Sequence, residues 1–151
     1  MSRFTQSLIV SPLSDGRTWV LLKDFGYDVK EEGSGEVIDV PVGFKTDFAS
    51  VPRIFWAILP RWGRYGNAAV IHDYCYWDQT YSRKTSDQIF REAMGVLGVP
   101  AIQKNILYWV VRWFGWGAWT WNRRKKTKNP DFKFEKNMME FISVPVIKRE
   151  P

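Results

Sequence analysis

The sequence predicts an α+β domain, in which a small N-terminal antiparallel β-sheet is followed by three to four helices. Short β-rich runs alternate with turn residues up to residue 50, and from residue 52 onward apolar residues recur at helical spacing. The 151-residue chain is 45% apolar, a share typical of one globular domain. We therefore expect a single domain over residues 1–128, β-rich over 1–50 and helical over 52–121, followed by a C-terminal tail over 129–151.

The β-rich half is defined by short runs of branched and aromatic residues. They lie at residues 4–10, 19–22, 25–27 and 36–42. The segment SPLSDG at residues 11–16 separates the first two runs, because Pro, Ser, Asp and Gly each favour turns. Together these runs predict one small antiparallel sheet.

The helical half is predicted from apolar periodicity and from capping residues. Helices are expected at residues 54–59, 67–76, 85–97 and 101–114 or beyond. Asn67 is a favourable N-cap for the second, and the T-x-x-Q pattern at residues 85–88 fits a capping box for the third. Gly115 and Gly117 are expected to weaken the end of the last helix. The tail is expected to follow the surface, with a short element near residues 132–142.

Cysteine content and hydropathy limit the class of protein. Cys75 is the only cysteine, which excludes a disulfide framework or a cysteine-rich zinc site within the chain. The N-terminus lacks the apolar run of about seven residues that a signal peptide needs, so synthesis in the cytoplasm is expected. Residues 106–121 are interrupted by Arg112 and fall short of the about 20 apolar residues that span a bilayer.

The positive charge and the aromatic excess coincide. The net charge is +6, yet residues 101–128 hold seven of the 22 cations and none of the 16 acids, so the rest of the chain has a net charge of −1. Five of the nine tryptophans lie in the same segment. The charge is therefore a property of one segment and not of the whole chain.

His72 is the only histidine and is followed directly by Asp73, in the middle of the second predicted helix. On a helix, Tyr76 shares a face with His72, whereas Asp73 points about 100° away and can serve a different partner. An imidazole suits a general base, and a carboxylate suits a hard cation or a positive side chain. The alternative is a buried packing histidine. Cys75 is expected to be a small buried apolar residue.

Two further acidic positions are candidates for the same site. Asp87, near the start of the next helix, can reach across a helix pair and accept the ring N–H of His72; alternatively, an acid in a first turn is favoured by the helix dipole. The loop holding Thr46, Asp47 and Ser50 leaves the sheet towards the helices. Calcium or magnesium bound by Asp47, Asp73 and main-chain oxygens is easier to build than zinc. A serine triad is less favoured than a His-activated water, because nothing resembles a nucleophile elbow.

Several motifs resemble a family of short, uncharacterised proteins of tailed phages and prophages that carry a domain of unknown function. The motifs are GFKTDFASVPR at residues 43–53, GRYG at 63–66, AAVIHDYCY at 68–76, SDQIF at 86–90 and the aromatic stretch at 108–119. The resemblance covers about residues 36–120. It implies a phage or prophage origin, and presence in the virion is one location that it suggests.

The His72-Asp73 helix followed by Asp87 is also similar to the catalytic helix pair of secretory-type calcium-dependent phospholipases. That resemblance implies that His72 activates water, that Asp73 binds calcium, that Tyr76 supports the site, and that Asp87 orients His72. The glycine-rich calcium loop and the disulfides of that family are absent, so GRYG at residues 63–66 or the Thr46-Asp47 loop has to replace the calcium loop.

The basic aromatic segment predicts a lipid-binding or partner-binding surface. Its residues are Trp109, Arg112, Trp113, Trp116, Arg123, Arg124, Lys125 and Lys126. Tryptophan favours the headgroup level of a bilayer, and clustered cations favour anionic lipid. The alternatives are aromatic packing in the core with a solvated basic tail, contact with phage structural proteins, and, less favoured, nucleic acid.

Two functional hypotheses follow. The first is a phage-encoded hydrolase that uses a water activated by His72, with calcium-assisted, phospholipase-like ester hydrolysis at the bacterial envelope as its most specific form. The second is a non-catalytic virion or host-interaction protein in which His72 and Asp87 form a structural network.

Overall fold

The predicted α+β class is confirmed by a computed structural model, which describes residues 3–47 and 65–138. Short N-terminal strands precede three helices in the described part. The elements are β1 (Val10–Pro12), β2 (Trp19–Leu21), β3 (Phe25–Asp28), β4 (Val37–Val40), β5 (Lys45–Thr46), α1 (Gly66–Asp78), α2 (Arg83–Val96) and α3 (Ala101–Lys128).

The strands form two small antiparallel sheets, so the prediction of one sheet is wrong. One sheet has the order β1-β2-β5, and the other is the β3-β4 hairpin, in which Phe25 lies opposite Val40. The strand predicted over residues 4–10 is also wrong, since Phe4 makes only an isolated bridge to Tyr27 and β1 begins at Val10. The turn between β1 and β2 is tighter than predicted, because the Asp15 carboxylate accepts hydrogen bonds from the main-chain N–H groups of Arg17 and Thr18. The pairing of β1 with β2 therefore extends into the turn predicted at residues 11–16.

The helix boundaries differ from prediction in three places. α1 begins at Gly66 with Tyr65 at the N-cap, so Asn67 is not the cap. α2 begins one turn before the predicted capping box, because the Ser82 side chain caps the helix by accepting from the Thr85 main-chain N–H. α3 continues past both glycines to Lys128. The helix predicted at residues 54–59 lies outside the described residues.

α1 is the central element of the fold. It packs against α2, α3, β4 and β5, and most of its residues are buried, including His72 and Asp73. Four side chains from other elements illustrate the core around it: Leu21, Phe44, Phe90 and Val111. A helix buried on nearly every side cannot keep a polar side chain unless that side chain has a partner.

The described start of the C-terminal tail returns to the sheet next to β5. The Lys45 N–H donates to the Lys133 carbonyl at 2.7 Å, and the Glu135 N–H donates to the Gly43 carbonyl at 2.8 Å. Gly43 has a φ of +88°, which favours glycine at this turn. These contacts pair the tail with the β5 segment on both sides of Phe44, directly before Thr46 at the end of the strand.

Candidate functional site

His72 lies in the middle of α1 with a fully buried side chain. Its imidazole packs against the Tyr76 ring, with 4.2 Å between centroids, and against the Phe90 ring, with 4.7 Å between centroids. Tyr76 is one turn further along α1, as the sequence predicted, and Phe90 comes from α2. Aromatic packing on two sides limits how the imidazole can turn.

Asp87 is the partner of His72, and the predicted contact across the helix pair is confirmed. The Nε2 of His72 lies 2.8 Å from Oδ1 of Asp87, and the Tyr76 hydroxyl donates to the same oxygen at 2.7 Å. Asp87 is the fifth residue of α2, beyond its first turn, so the helix dipole does not explain its position. The structure therefore brings together the three residues that were predicted as catalytic.

Two arginines complete the surroundings of Asp87, and neither was assigned to this site from the sequence. The Arg112 guanidinium donates to Oδ2 at 2.6 Å, and an Arg83 nitrogen lies 3.5 Å from the same oxygen. The prediction that Arg112 shares the exposed surface of Trp109 and Trp113 is wrong, because its side chain turns inward to the carboxylate. The sequence did hold one indication of this contact: Arg112 is the lone cation inside the apolar stretch of residues 106–121, and such a charge requires a buried partner.

The carboxyl group of Asp87 is ionised at neutral pH. Burial acts to raise its pKa, but hydrogen bonds from His72, Tyr76 and Arg112, together with the charge of His72 in its protonated form, outweigh burial, so the pKa is lowered. Burial, followed by the charge of Asp87, raises the pKa of the Tyr76 hydroxyl, which therefore stays protonated and donates. An ionised acceptor at Nε2 requires a proton on that nitrogen, so whenever the ring is neutral its lone pair lies on Nδ1.

The Nδ1 atom of His72 is buried and has no hydrogen-bond partner among the described residues. A buried polar atom without a partner costs about 1–3 kcal/mol, so a fold seldom keeps one without a reason. Nε2 is held by Asp87, and in the neutral tautomer that this contact selects, the lone pair lies on Nδ1. This arrangement gives the ring one fixed side and one side able to accept a proton.

Gly115 of α3 provides the space for the Tyr76 hydroxyl. A methyl group built at Gly115 would overlap this hydroxyl and press against the tyrosine ring. Gly117, two residues further along, has no atom of the described residues within 4 Å of the same methyl position. The first of the two glycines is therefore needed for close packing at the site, although the sequence suggested only that both weaken the helix.

Asp73 has a different partner from His72, as its direction on the helix predicted. The Thr46 hydroxyl at the end of β5 donates to Oδ2 of Asp73 at 2.5 Å, and both residues are buried. Asp47 follows Thr46, and Ser50 lies outside the described residues. Within residues 3–47 and 65–138, no three His, Cys, Asp or Glu side chains are grouped closely enough to hold a metal ion.

Cys75 and the neighbouring cavity lie on another side of α1. The thiol is buried, and burial raises its pKa to about 12, which excludes a thiolate nucleophile near neutral pH. A cavity of about 210 Å³ is lined by Cys75 together with Tyr74, Asp78 and residues of β4. His72 and Asp87 do not line this cavity.

Comparison with known proteins places this fold in a family. Residues 19–111 match the family described as "Protein of unknown function (DUF1353)". The chain belongs to the DUF1353 family. The DUF1353 match begins in β2 and ends one residue before Arg112, so it includes Thr46 and the helix pair that carries His72 and Asp87.

A curated relative of this DUF1353 chain is the uncharacterised protein y4jT of Sinorhizobium fredii. The two are 37% identical over 99 residues, which is 63% of this chain and 28% of y4jT. The chain thus spans less than a third of the length of that relative. No solved structure matches the chain. In the described part of the chain, no helix is long and apolar enough to cross a bilayer.

Proposed function

We propose that this DUF1353 protein is a hydrolase in which His72 activates water, and that it is encoded by a phage or prophage. The observation that carries the catalytic proposal is the orientation of the imidazole: Nε2 is bound to Asp87, while Nδ1 is buried without a partner among the described residues. The motif resemblance described for residues 43–53 and 68–76 supports the phage origin.

The proposed chemistry is hydrolysis of a carboxylic ester, with phospholipids as the substrate class. Nδ1 of His72 accepts a proton from water while the hydroxide forms a bond to the ester carbonyl carbon. The tetrahedral intermediate then breaks its bond to the alcohol oxygen, which takes the proton back from Nδ1. Asp87 stabilises the imidazolium that forms between these two proton transfers and holds the ring in the required tautomer.

Tyr76 and Arg112 are positioning residues in this proposal. They donate to different oxygens of Asp87, at 2.7 Å and 2.6 Å, so the carboxylate cannot rotate away from His72. Arg83 adds a second positive charge near Oδ2. With its acceptor positions used in this way, Asp87 orients His72 and does not itself take a proton.

Calcium is a separate part of the proposal, and no catalytic step depends on it. The described residues supply the carboxylates of Asp73 and Asp47, the Thr46 hydroxyl and main-chain oxygens, and they do not form a group of three metal-ligating side chains. A calcium ion needs six to eight oxygen ligands. Binding is tested by thermal melting with added calcium, comparing the parent with Asp73→Asn; stabilisation of the parent alone supports a site.

The test of the hydrolase uses His72→Gln. The glutamine amide can still donate to Asp87, but it cannot act as a base near neutral pH. We expect fatty-acid release from phosphatidylglycerol vesicles and from soluble carboxylic esters by the parent, and about 10²–10⁴-fold less by the variant, with similar melting temperatures. Equal release by the two proteins, or none by the parent on either substrate, would rule out the proposal.

The second candidate function is a non-catalytic virion or host-interaction protein. It is favoured by one observation: the side chains of His72 and Asp87 are both fully buried, as expected of a structural network. Because His72 is the only histidine, the absorbance of carbethoxyhistidine formed by diethyl pyrocarbonate, in protein without a histidine tag, reports on this ring alone. Modification in the native state favours the hydrolase, and modification only in denaturant favours the structural network.

A further inference from the structure

We propose that one face of α3 binds the surface of a membrane that contains anionic phospholipid. This aromatic face consists of Ile102, Ile106, Trp109, Trp113 and Trp116. The proposal concerns binding and does not depend on catalysis by His72.

The side chains of the aromatic face are large, apolar and exposed. Their exposed fractions are 76% for Ile102, 44% for Ile106, 51% for Trp109, 66% for Trp113 and 65% for Trp116. Their spacing of four, three, four and three residues places them along one side of the helix. At 1.5 Å per residue, the face is about 21 Å long.

The opposite side of α3 is already occupied by the body of the protein. Leu107, Val111 and Gly115 are buried there, and Arg112 is bound to Asp87. The helix therefore has one face packed against α1 and α2 and one face directed outward. A helix with this division lies in the plane of a membrane surface, with its apolar side at the headgroup level.

Charge distribution along α3 identifies the kind of surface. The helix contains no acidic residue, and Arg124 and Lys128 are exposed beyond the aromatic face, towards the C-terminus. Tryptophan is favoured at the headgroup level of a bilayer. Each basic residue near an anionic membrane strengthens binding about fivefold. Exposed tryptophans combined with cations and without acids are thus complementary to a bilayer that carries negative charge.

Two other occupants fit the aromatic face less well. A second copy of α3 would bring further cations near Arg124 and Lys128, because no acid is available on this helix to pair with them. Nucleic acid would accept the cations and could stack on tryptophan, but Ile102 and Ile106 provide no polar or stacking group for it.

The experiment is co-sedimentation of the full chain with vesicles, supported by the shift in tryptophan emission. Vesicles of phosphatidylglycerol with phosphatidylethanolamine are compared with vesicles of phosphatidylcholine alone. We expect binding to the anionic vesicles that weakens with added salt, and much weaker binding to phosphatidylcholine. The same measurement on His72→Gln should give the parent's affinity, so failure of the hydrolase and failure of membrane binding can be distinguished.

Matched variants locate the binding surface. Trp113→Gln is expected to weaken binding about tenfold, and Arg124→Gln with Lys128→Gln about 25-fold. The controls are Ile9→Gln, an exposed apolar residue near the sheets, and Arg17→Gln with Lys23→Gln, exposed cations outside α3. Each control should bind vesicles like the parent, and circular dichroism should show unchanged helix content in all variants.

Several results would overturn the proposal. One is equal binding to both kinds of vesicle, and another is equal loss in the control variants. A third is a concentration-dependent dimer, seen by analytical ultracentrifugation, that Trp113→Gln abolishes while the parent fails to bind vesicles. Binding to single-stranded nucleic acid without binding to vesicles would also overturn it.

Discussion

Replacing Gly115 by alanine tests whether the packing of Tyr76 against α3 maintains the Asp87 cluster. Within a helix, replacing glycine by alanine by itself raises the free energy of unfolding by about 1 kcal/mol. Here the added methyl group would overlap the Tyr76 hydroxyl. The tyrosine must then move away from Asp87 and lose a hydrogen bond to a charged acceptor, which costs about 1.5–3 kcal/mol. We therefore expect a net destabilisation of about 0.5–2 kcal/mol.

Gly117→Ala is the matched control, because it lies in the same helix and no atom in the described part of the chain approaches its methyl position within 4 Å. This variant should be stabilised by about 0.5–1 kcal/mol. The two variants should thus differ by about 1–3 kcal/mol in urea unfolding. For a chain of this size, that difference corresponds to roughly 2–12 °C in melting temperature.

A double-mutant cycle with Tyr76→Phe distinguishes the hydroxyl from general crowding. Without the hydroxyl, the strongest overlap is gone, and Gly115→Ala should cost at least 1 kcal/mol less than it does in the parent, by a rough estimate. If Gly115→Ala stabilises the parent as much as Gly117→Ala does, the close approach of Tyr76 to α3 does not exist, and the account of the cluster fails.

Three further predictions concern the other buried polar groups. Asp87→Asn should lower the free energy of unfolding at neutral pH by about 3–5 kcal/mol, because it leaves guanidinium charge without its partner. Since the pKa of Asp87 is lowered in the fold, its ionised form stabilises the fold above the unfolded-state pKa of 3.8, and this stabilisation is lost as the pH falls through the folded-state pKa. The acid unfolding curve of the parent should contain this contribution, and the curve of the variant should lack it. Cys75, with its pKa raised to about 12, should resist iodoacetamide in native protein at mildly alkaline pH and react in denaturant; rapid native labelling would contradict its burial. Thr46→Val should cost about 1–3 kcal/mol by leaving the buried Asp73 carboxylate without this donor, whereas Thr46→Ser should restore most of the loss in urea unfolding.

The parts of the structure that were predictable from sequence are those set by local chemistry. The helical register of His72, Asp73 and Tyr76 was sufficient to predict that His72 and Tyr76 share one face of the helix and that Asp73 can have a different partner from His72. Asp87 was predictable because a short connection between two helices brings residues one to two turns from the connected ends into contact. These relations depend on spacing within and between neighbouring elements.

The errors arose where distant residues decide the outcome. α3 continues past Gly115 and Gly117 because its second half is tied to the end of α1: the Gln79 side chain donates to the Trp119 carbonyl at 3.0 Å, and the Lys126 ammonium donates to the Asp78 carbonyl at 2.6 Å. Helix propensity contains no information about such contacts.

The same limitation explains the misplacement of Arg112. Its position beside Trp113 in the sequence gives no indication that its guanidinium reaches a carboxylate 25 residues earlier in the chain. The pairing of the tail with β5 is also long-range, and no local pattern at residues 129–138 predicts it. In each case, the missing information lies on a second element that is remote in sequence.

The Asp87 cluster also has a consequence for how the three helices find their alignment during folding. His72 and Tyr76 come from α1, Asp87 from α2 and Arg112 from α3. Apolar packing alone tolerates a shift of one helix by a turn, since one aliphatic side chain can replace another. A shift of α2 by one turn along α1 would separate Asp87 from its donors while it is still buried, at a cost of several kcal/mol. The cluster therefore selects one register among the apolar alternatives, whether or not His72 ever accepts a proton from water.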